Sequence, residues 1–176
     1  LAWMSDSTKV KAKEKLYAIN KKIGYPDVWR EYNVSIDRGQ FFENVVALRK
    51  DSYNYELKQL NKAPNRDEWG TTPSTVTAYY NPSLNEIVFP AGILQPPYFD
   101  LYADDAVNYG GIGMVIGHEF THAFDDQGAQ YDKDGNVTNW WTDDDYTKFK
   151  AKTQQIIEQY DSFTVLDSVH LKGALT

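Results

Sequence analysis

The sequence predicts an α+β fold, mainly helical with one small β-sheet. Four stretches show helical apolar spacing or helix start signals, and two neighbouring stretches near the middle are rich in β-branched and aromatic residues. A third observation sets the scale. With 176 residues, 41% of them apolar, the chain is long enough to bury roughly two thirds of the surface it exposes when extended. One sizeable core is therefore expected over residues 1–176, and two full domains are not.

The first helix is expected over residues 5–23. Ser5, Asp6 and Ser7 have the short oxygen-bearing side chains that cap a helix start, and Val10, Leu16, Ile19 and Ile23 then fall near one face. Gly24 and Pro26 stop it. Residues 25–35 read as loop or short extended chain, and residues 37–61 as an amphipathic helix with a wet side, carrying Phe41, Val45, Leu48, Tyr55 and Leu60. A connection with Pro64 and Gly70 leads to strands over 75–80 and 86–89, joined by the turn Asn81-Pro82-Ser83-Leu84-Asn85.

Pro90, Pro96 and Pro97 break the next stretch. Residues 106–125 return to helix despite Gly110, Gly111, Gly113 and Gly117. Each interior glycine costs up to about 1 kcal/mol relative to alanine, so this helix is expected to be buried and closely packed. Asp132-Lys133-Asp134-Gly135-Asn136 reads as a turn before a short strand, since it lacks the twelve-residue spacing and terminal glutamate of a calcium loop. Residues 143–160 form the last helix, with Tyr146, Phe149, Ile156 and Ile157 on its apolar side. No internal repeat occurs.

Charge and composition exclude several classes of function. With 18 Lys+Arg against 25 Asp+Glu, the net charge of −7 repels nucleic-acid and anionic-lipid phosphates, and the apolar content excludes a disordered chain. The absence of cysteine excludes disulfides, cysteine-ligated zinc, iron–sulfur clusters and a cysteine nucleophile. No apolar run approaches the ~20 residues of a transmembrane helix, and Leu1-Ala2-Trp3-Met4 lacks the layout of a signal peptide. The opening and the ending, Leu171 to Thr176, together suggest a piece of a longer protein.

The sharpest chemical signal is His118-Glu119-Phe120-Thr121-His122. Residues i and i+4 of a helix stand one above the other, so both imidazoles can grip one zinc ion. Glu119 lies about 100° around from His118, within reach of a metal-bound water. This is the H-E-x-x-H arrangement of a metallopeptidase, with His118 and His122 as metal ligands and Glu119 as the catalytic base. The plain alternative is a helix with two unrelated hydrogen-bonded histidines. Catalytic zinc takes three protein ligands, and the chain supplies two convincingly. Asp125 and Asp126 are candidates for the third but stand close to His122 on the same helix. Glu158 is freer, and His170 reads as a loop or core-edge residue.

Longer matching text surrounds the motif: Asn85-Glu86-Ile87-Val88-Phe89-Pro90-Ala91-Gly92-Ile93-Leu94-Gln95-Pro96-Pro97, Asn108 through Glu119, Phe124-Asp125-Asp126, Gly128, Asp134-Gly135, Trp140-Trp141 and Ile23-Gly24-Tyr25-Pro26-Asp27. Across nearly its whole length the chain resembles the catalytic region of the neprilysin and endothelin-converting enzyme family of zinc endopeptidases, which includes bacterial endopeptidase O-like members. The resemblance implies a zincin-like catalytic fold, incomplete at the C-terminus, within a larger two-lobed peptidase that admits short peptides. It implies one catalytic zinc whose third ligand, a glutamate in a Gly-Glu-Asn-Ile-Ala-Asp motif, is expected beyond Thr176. The isolated chain is accordingly expected to bind zinc weakly and to hydrolyse nothing.

The same resemblance places substrate-binding residues at Thr77, Ala78 and Tyr79, on an edge strand that pairs with an extended peptide. Thr77 stands where family members usually carry asparagine, and its hydroxyl has shorter reach than an amide. Trp140-Trp141, Tyr79-Tyr80 and Pro96-Pro97-Tyr98-Phe99 are expected mainly to pack between layers. Asn33-Val34-Ser35 and Asn136-Val137-Thr138 fit the glycosylation pattern.

Short peptides and the missing remainder of the parent protein are the expected partners. A thermolysin-like single-domain peptidase and a noncatalytic peptide-binding or structural fragment are the competing readings. The cysteine-free composition favours a bacterial enzyme over a disulfide-rich animal ectodomain, and for a bacterial homologue the resemblance implies the periplasm, cell envelope or extracellular space.

Overall fold

The computed structural model describes residues 1–175. In chain order its elements are α1 (Asp6–Ala18), β1 (Asn20–Gly24), α2 (Phe41–Gln59), β2 (Tyr79–Asn81), β3 (Glu86–Pro90), α3 (Asp105–Asn108), α4 (Met114–His122), α5 (Asp143–Asp161), β4 (Thr164–Leu166) and β5 (Val169–His170). A π-helical turn, Tyr109–Gly113, joins α3 to α4, and 3-10 turns occupy Ala91–Ile93, Gly128–Gln130 and Gly173–Leu175. The fold is α+β, mainly helical, as expected. One sheet has strand order β1-β3-β2; the other is the antiparallel pair β4-β5. No described helix is long and apolar enough to cross a membrane. The chain forms two compact units, one of Leu1–Ile19, Tyr80–Glu86 and Gly117–Thr176, the other of Asn20–Tyr79 and Ile87–Ile116.

In the first unit, α1 begins where Ser5 accepts from the amide of Thr8, and α5 where Thr142 accepts from the amide of Asp145. One carboxylate serves both starts. Asp145 is fully buried and accepts from the Ser5 amide at 2.8 Å, the Thr8 hydroxyl at 2.6 Å and the Thr142 hydroxyl at 2.7 Å. The hydroxyl donors, Ser5 and Thr8 foremost, hold its carboxyl well below the usual carboxylate range.

Around this joint packs a core of Met4, Ala129, Trp140 and Trp141, flanked by Trp3 and Phe149. Trp3 stacks on Trp141 with ring centroids 5.9 Å apart. The tryptophan pair therefore packs between elements, as expected, while Pro96, Pro97 and Tyr98 are exposed and do not. The expected turn at 132–136 forms too. Gly135 takes φ +85°, and Tyr131 and Val137 pair as an isolated antiparallel bridge.

The expected face of α1 is not the buried one. Val10 is 56% and Ile23 63% exposed, whereas Thr8 and Lys15 are buried. The expected helix also ends early: Ile19 leaves helical geometry at φ −58°, ψ 120°, and the next five residues form β1. Burial of Ile19 and the bond from Lys22 Nζ to the Glu68 carbonyl at 2.6 Å favour the extended form. Ladder bonding in a sheet outweighs the helical spacing of two isoleucines. Gly24 closes the strand at φ +86°.

In the second unit α2 begins four residues later than expected. The side chain of Asn44, in the first turn of α2, holds the main chain of Asp37 ahead of it: the Asp37 amide donates to Asn44 Oδ1 at 3.0 Å, and Asn44 Nδ2 donates to the Asp37 carbonyl at 2.6 Å. No residue of α2 is fully buried, but Val45, Leu48 and Tyr55 are half-buried along one side, as the amphipathic spacing expects, while Phe41 and Leu60 are exposed. The strand expected over 75–80 shortens to β2. Residues 72–75 form a turn instead, closed by the Thr75 amide on the Thr72 carbonyl at 3.1 Å. The Gly92 amide bonds the Pro73 carbonyl at 2.8 Å, a closeness that a side chain at Gly92 would prevent. All five residues of β3 are buried.

Candidate metal centre

The glycine-rich helix upstream of the histidines is continuous only through its π-helical turn. There the Ile112 amide donates to the Tyr98 carbonyl at 2.7 Å. A Cβ on Gly111 would stand 2.4 Å from that same oxygen, so glycine is required. The expected burial of the whole helix is corrected: Val107, Tyr109 and Met114 are exposed, and Gly110 and Gly117 face open space. Of the four glycines, the demand for close approach is strongest at Gly111.

On α4, His118 and His122 lie one turn apart with ring centroids 4.5 Å apart and Nε2 atoms 3.0 Å apart. Two imidazole nitrogens each about 2 Å from one tetrahedral ion stand roughly 3 Å from each other, so the pair fits two ligand positions of a zinc site. Asp125 Oδ2 lies 2.7 Å from His122 Nδ1. With the proton on Nδ1 donated to the carboxylate, the Nε2 lone pair is left for a metal. Glu119 sits between the histidines in sequence and is 7% exposed.

The third-ligand candidates are not brought to the pair. Among the described residues no group of three His, Cys, Asp or Glu side chains converges to hold a metal. Asp125 spends Oδ2 on His122 and Oδ1 on the amides of Gln127 at 3.0 Å and Gly128 at 2.8 Å. Both its oxygens are engaged, and one of them orients the His122 imidazole. Asp126 accepts from the Gln127 side chain at 2.7 Å. Glu158 accepts from Gln154 on α5, and His170 meets the Thr164 hydroxyl on the β4-β5 hairpin.

Sequence reasoning weighed Asp125 as a metal ligand and missed its bond to His122, although a carboxylate three residues past a histidine on one helix was its signal. Thr77, Ala78 and Tyr79 are half-buried and fall in the other unit. Only Tyr79 lies within β2; Thr77 and Ala78 precede it, and the Thr77 hydroxyl reaches no farther than the Ala78 carbonyl, at 3.4 Å. The strand expected over 75–80 therefore starts at Tyr79, at the edge of its sheet.

A two-histidine helix with an intervening glutamate and a carboxylate-oriented imidazole defines the metallopeptidase class of site. The comparisons narrow the class. The family model described as Peptidase family M13 matches residues 77–176. Human endothelin-converting enzyme 1 is 47% identical over 175 residues, covering 94% of this chain and 22% of that protein. Rabbit neprilysin is 43% identical over 187 residues, covering the whole chain and 25% of that protein. A crystal structure of the Mycobacterium tuberculosis zinc metalloprotease Zmp1 with an inhibitor superposes with a TM-score of 0.90 at 52% identity, covering 99% of this chain and 28% of that one. The chain belongs to peptidase family M13. It spans about a quarter of the length of the curated relatives it matches.

Proposed function

We propose that the chain is the zinc-binding segment of a metalloendopeptidase that hydrolyses short peptides. The 3.0 Å approach of the His118 and His122 Nε2 atoms carries this reading, with Asp125 behind His122 and membership of family M13 in support. His118 and His122 would hold the ion through Nε2. Zinc, when bound, supplies Lewis acidity that acidifies a water and polarises a carbonyl. Glu119 accepts the proton released by the attacking water and passes it to the leaving amine. Asp125 keeps the His122 proton on Nδ1 throughout.

In the longer protein, replacing Glu119 with glutamine should leave zinc content unchanged and lower kcat on a fluorogenic peptide by at least about a hundredfold. Retained turnover in E119Q would defeat the assignment. The 176-residue chain alone binds zinc weakly and lacks peptidase activity in this reading, because the third acidic ligand lies elsewhere. Robust hydrolysis by the isolated chain would contradict that. A periplasmic, envelope or extracellular location accompanies the proposal and is open to cell fractionation.

A further inference from the structure

Lys15 is 1% exposed, an unusual place for an ammonium group. It sits in the third turn of α1 and projects its charge onto backbone alone. Its Nζ donates to the carbonyls of Ala123, Gly128 and Tyr131, each at 2.7 Å. Three donors meet three acceptors, which saturates the group. The aromatic faces of Trp140, Phe124 and Tyr80 close around it at 5.7, 5.8 and 5.9 Å. Burial pushes its pKa down to about 8 while Asp125 and Asp132 pull it back up, so the group stays mostly charged at neutral pH.

The three carbonyls are not scattered. Ala123 directly follows His122 at the end of α4, where helix carbonyls lack partners within the helix and a cation is favourable. Gly128 and Tyr131 bracket the 3-10 turn that follows. Between Ala123 and Gly128 lies Asp125, with one oxygen on the Gln127 and Gly128 amides and the other on His122. The loop is pressed tightly against the helix end: a Cβ on Gly128 would stand 1.8 Å from the His122 carbonyl oxygen. One ammonium thus ties both ends of the segment whose middle residue aims the imidazole.

We propose that Lys15 is a positioning residue for His122, clamping the Ala123–Gly128 loop so that Asp125 holds the imidazole with Nε2 free for the metal. The proposal rests on the zinc-peptidase reading of α4. A purely structural lysine would support α1 packing and leave His122 indifferent.

The test compares wild type, Lys15→Met and Lys15→Gln in the 176-residue chain. Nitrogen-resolved NMR of the histidine rings, with His170 as internal reference, reads the His122 tautomer, and competition with a chelating indicator reads zinc affinity. Wild type is expected to show the proton on His122 Nδ1. K15M should lose that single tautomer and bind zinc about tenfold more weakly. K15Q, which keeps two donors, should fall between.

A folded K15M with the His122 Nδ1 proton in place and zinc affinity within twofold of wild type overturns the proposal, whatever its melting temperature. If K15M does not fold, the same two readings on K15Q decide. If the wild-type chain binds no zinc, the tautomer comparison alone decides the role of Lys15, and the peptidase reading is decided separately by E119Q in the longer protein.

Discussion

Asp125 satisfies three donors with two oxygens: His122 Nδ1 on Oδ2, and the Gln127 and Gly128 amides on Oδ1. Asparagine has one oxygen and cannot do this. In D125N, an oxygen kept on the amides turns the NH2 group toward His122 and drives the imidazole proton to Nε2, the atom needed by the metal. An oxygen kept on His122 sets NH2 against two backbone donors within about 3 Å and opens the loop. Either way Nε2 loses its fixed aim. Loss of such an orienting carboxylate typically weakens metal affinity by about 10- to 100-fold, or about 1.4 to 2.7 kcal/mol. Chelator competition at pH 7 on the 176-residue chain measures the change, and histidine-ring NMR shows where the proton sits. D126N is the control, because Asp126 reaches the Gln127 side chain and not a histidine. Zinc affinity unchanged within threefold in D125N, with the proton still on Nδ1, would refute the reasoning.

Gly128→Ala should destabilise the chain by at least about 2 kcal/mol, because the added Cβ would fall on the His122 carbonyl and no flexible side chain can yield; urea denaturation measures it. The stability that Asp145 contributes depends on pH in a defined direction. Its folded pKa lies below the unfolded value near 4, so the unfolded chain binds more protons as the solution is acidified. The contribution is complete above about pH 5 and fades as pH falls toward the folded pKa. The stability gap between wild type and D145N should therefore narrow in denaturation series run below pH 4. A constant gap would contradict the bonding assigned to Ser5, Thr8 and Thr142.

The parts of the fold that were legible in the sequence are those decided locally. The range of α5, the turn at Gly135 and the placement of two histidines on one helix face all follow from residues within a few positions of each other. β1 was hidden because Ile19 and Ile23 keep helical spacing, and only distant partners make the extended form win. The buried face of α1 was misread for the same reason. Thr8 and Lys15 are inside because Asp145 and three carbonyls, more than 100 residues away, complete their bonds. Hydropathy cannot register a lysine whose charge is met by backbone. At the site, the convergence of the two histidines was readable from their spacing, while the shortened β2 was not, because the turn at 72–75 depends on contact with Gly92.

The division of the polypeptide has a practical corollary. The chain passes from one unit to the other at four points, after residues 19, 79, 86 and 116, so neither unit is a continuous stretch. A truncation at any of these crossings discards segments that the retained half needs, and α4 itself is severed by the last of them. Neither half can be expressed alone as a simple deletion. Folding must bring together segments separated by 60 or more positions, such as Ser5 with Asp145, and each such closure costs chain entropy before its contacts form. Minimisation of this segment is better pursued by shortening loops than by trimming ends.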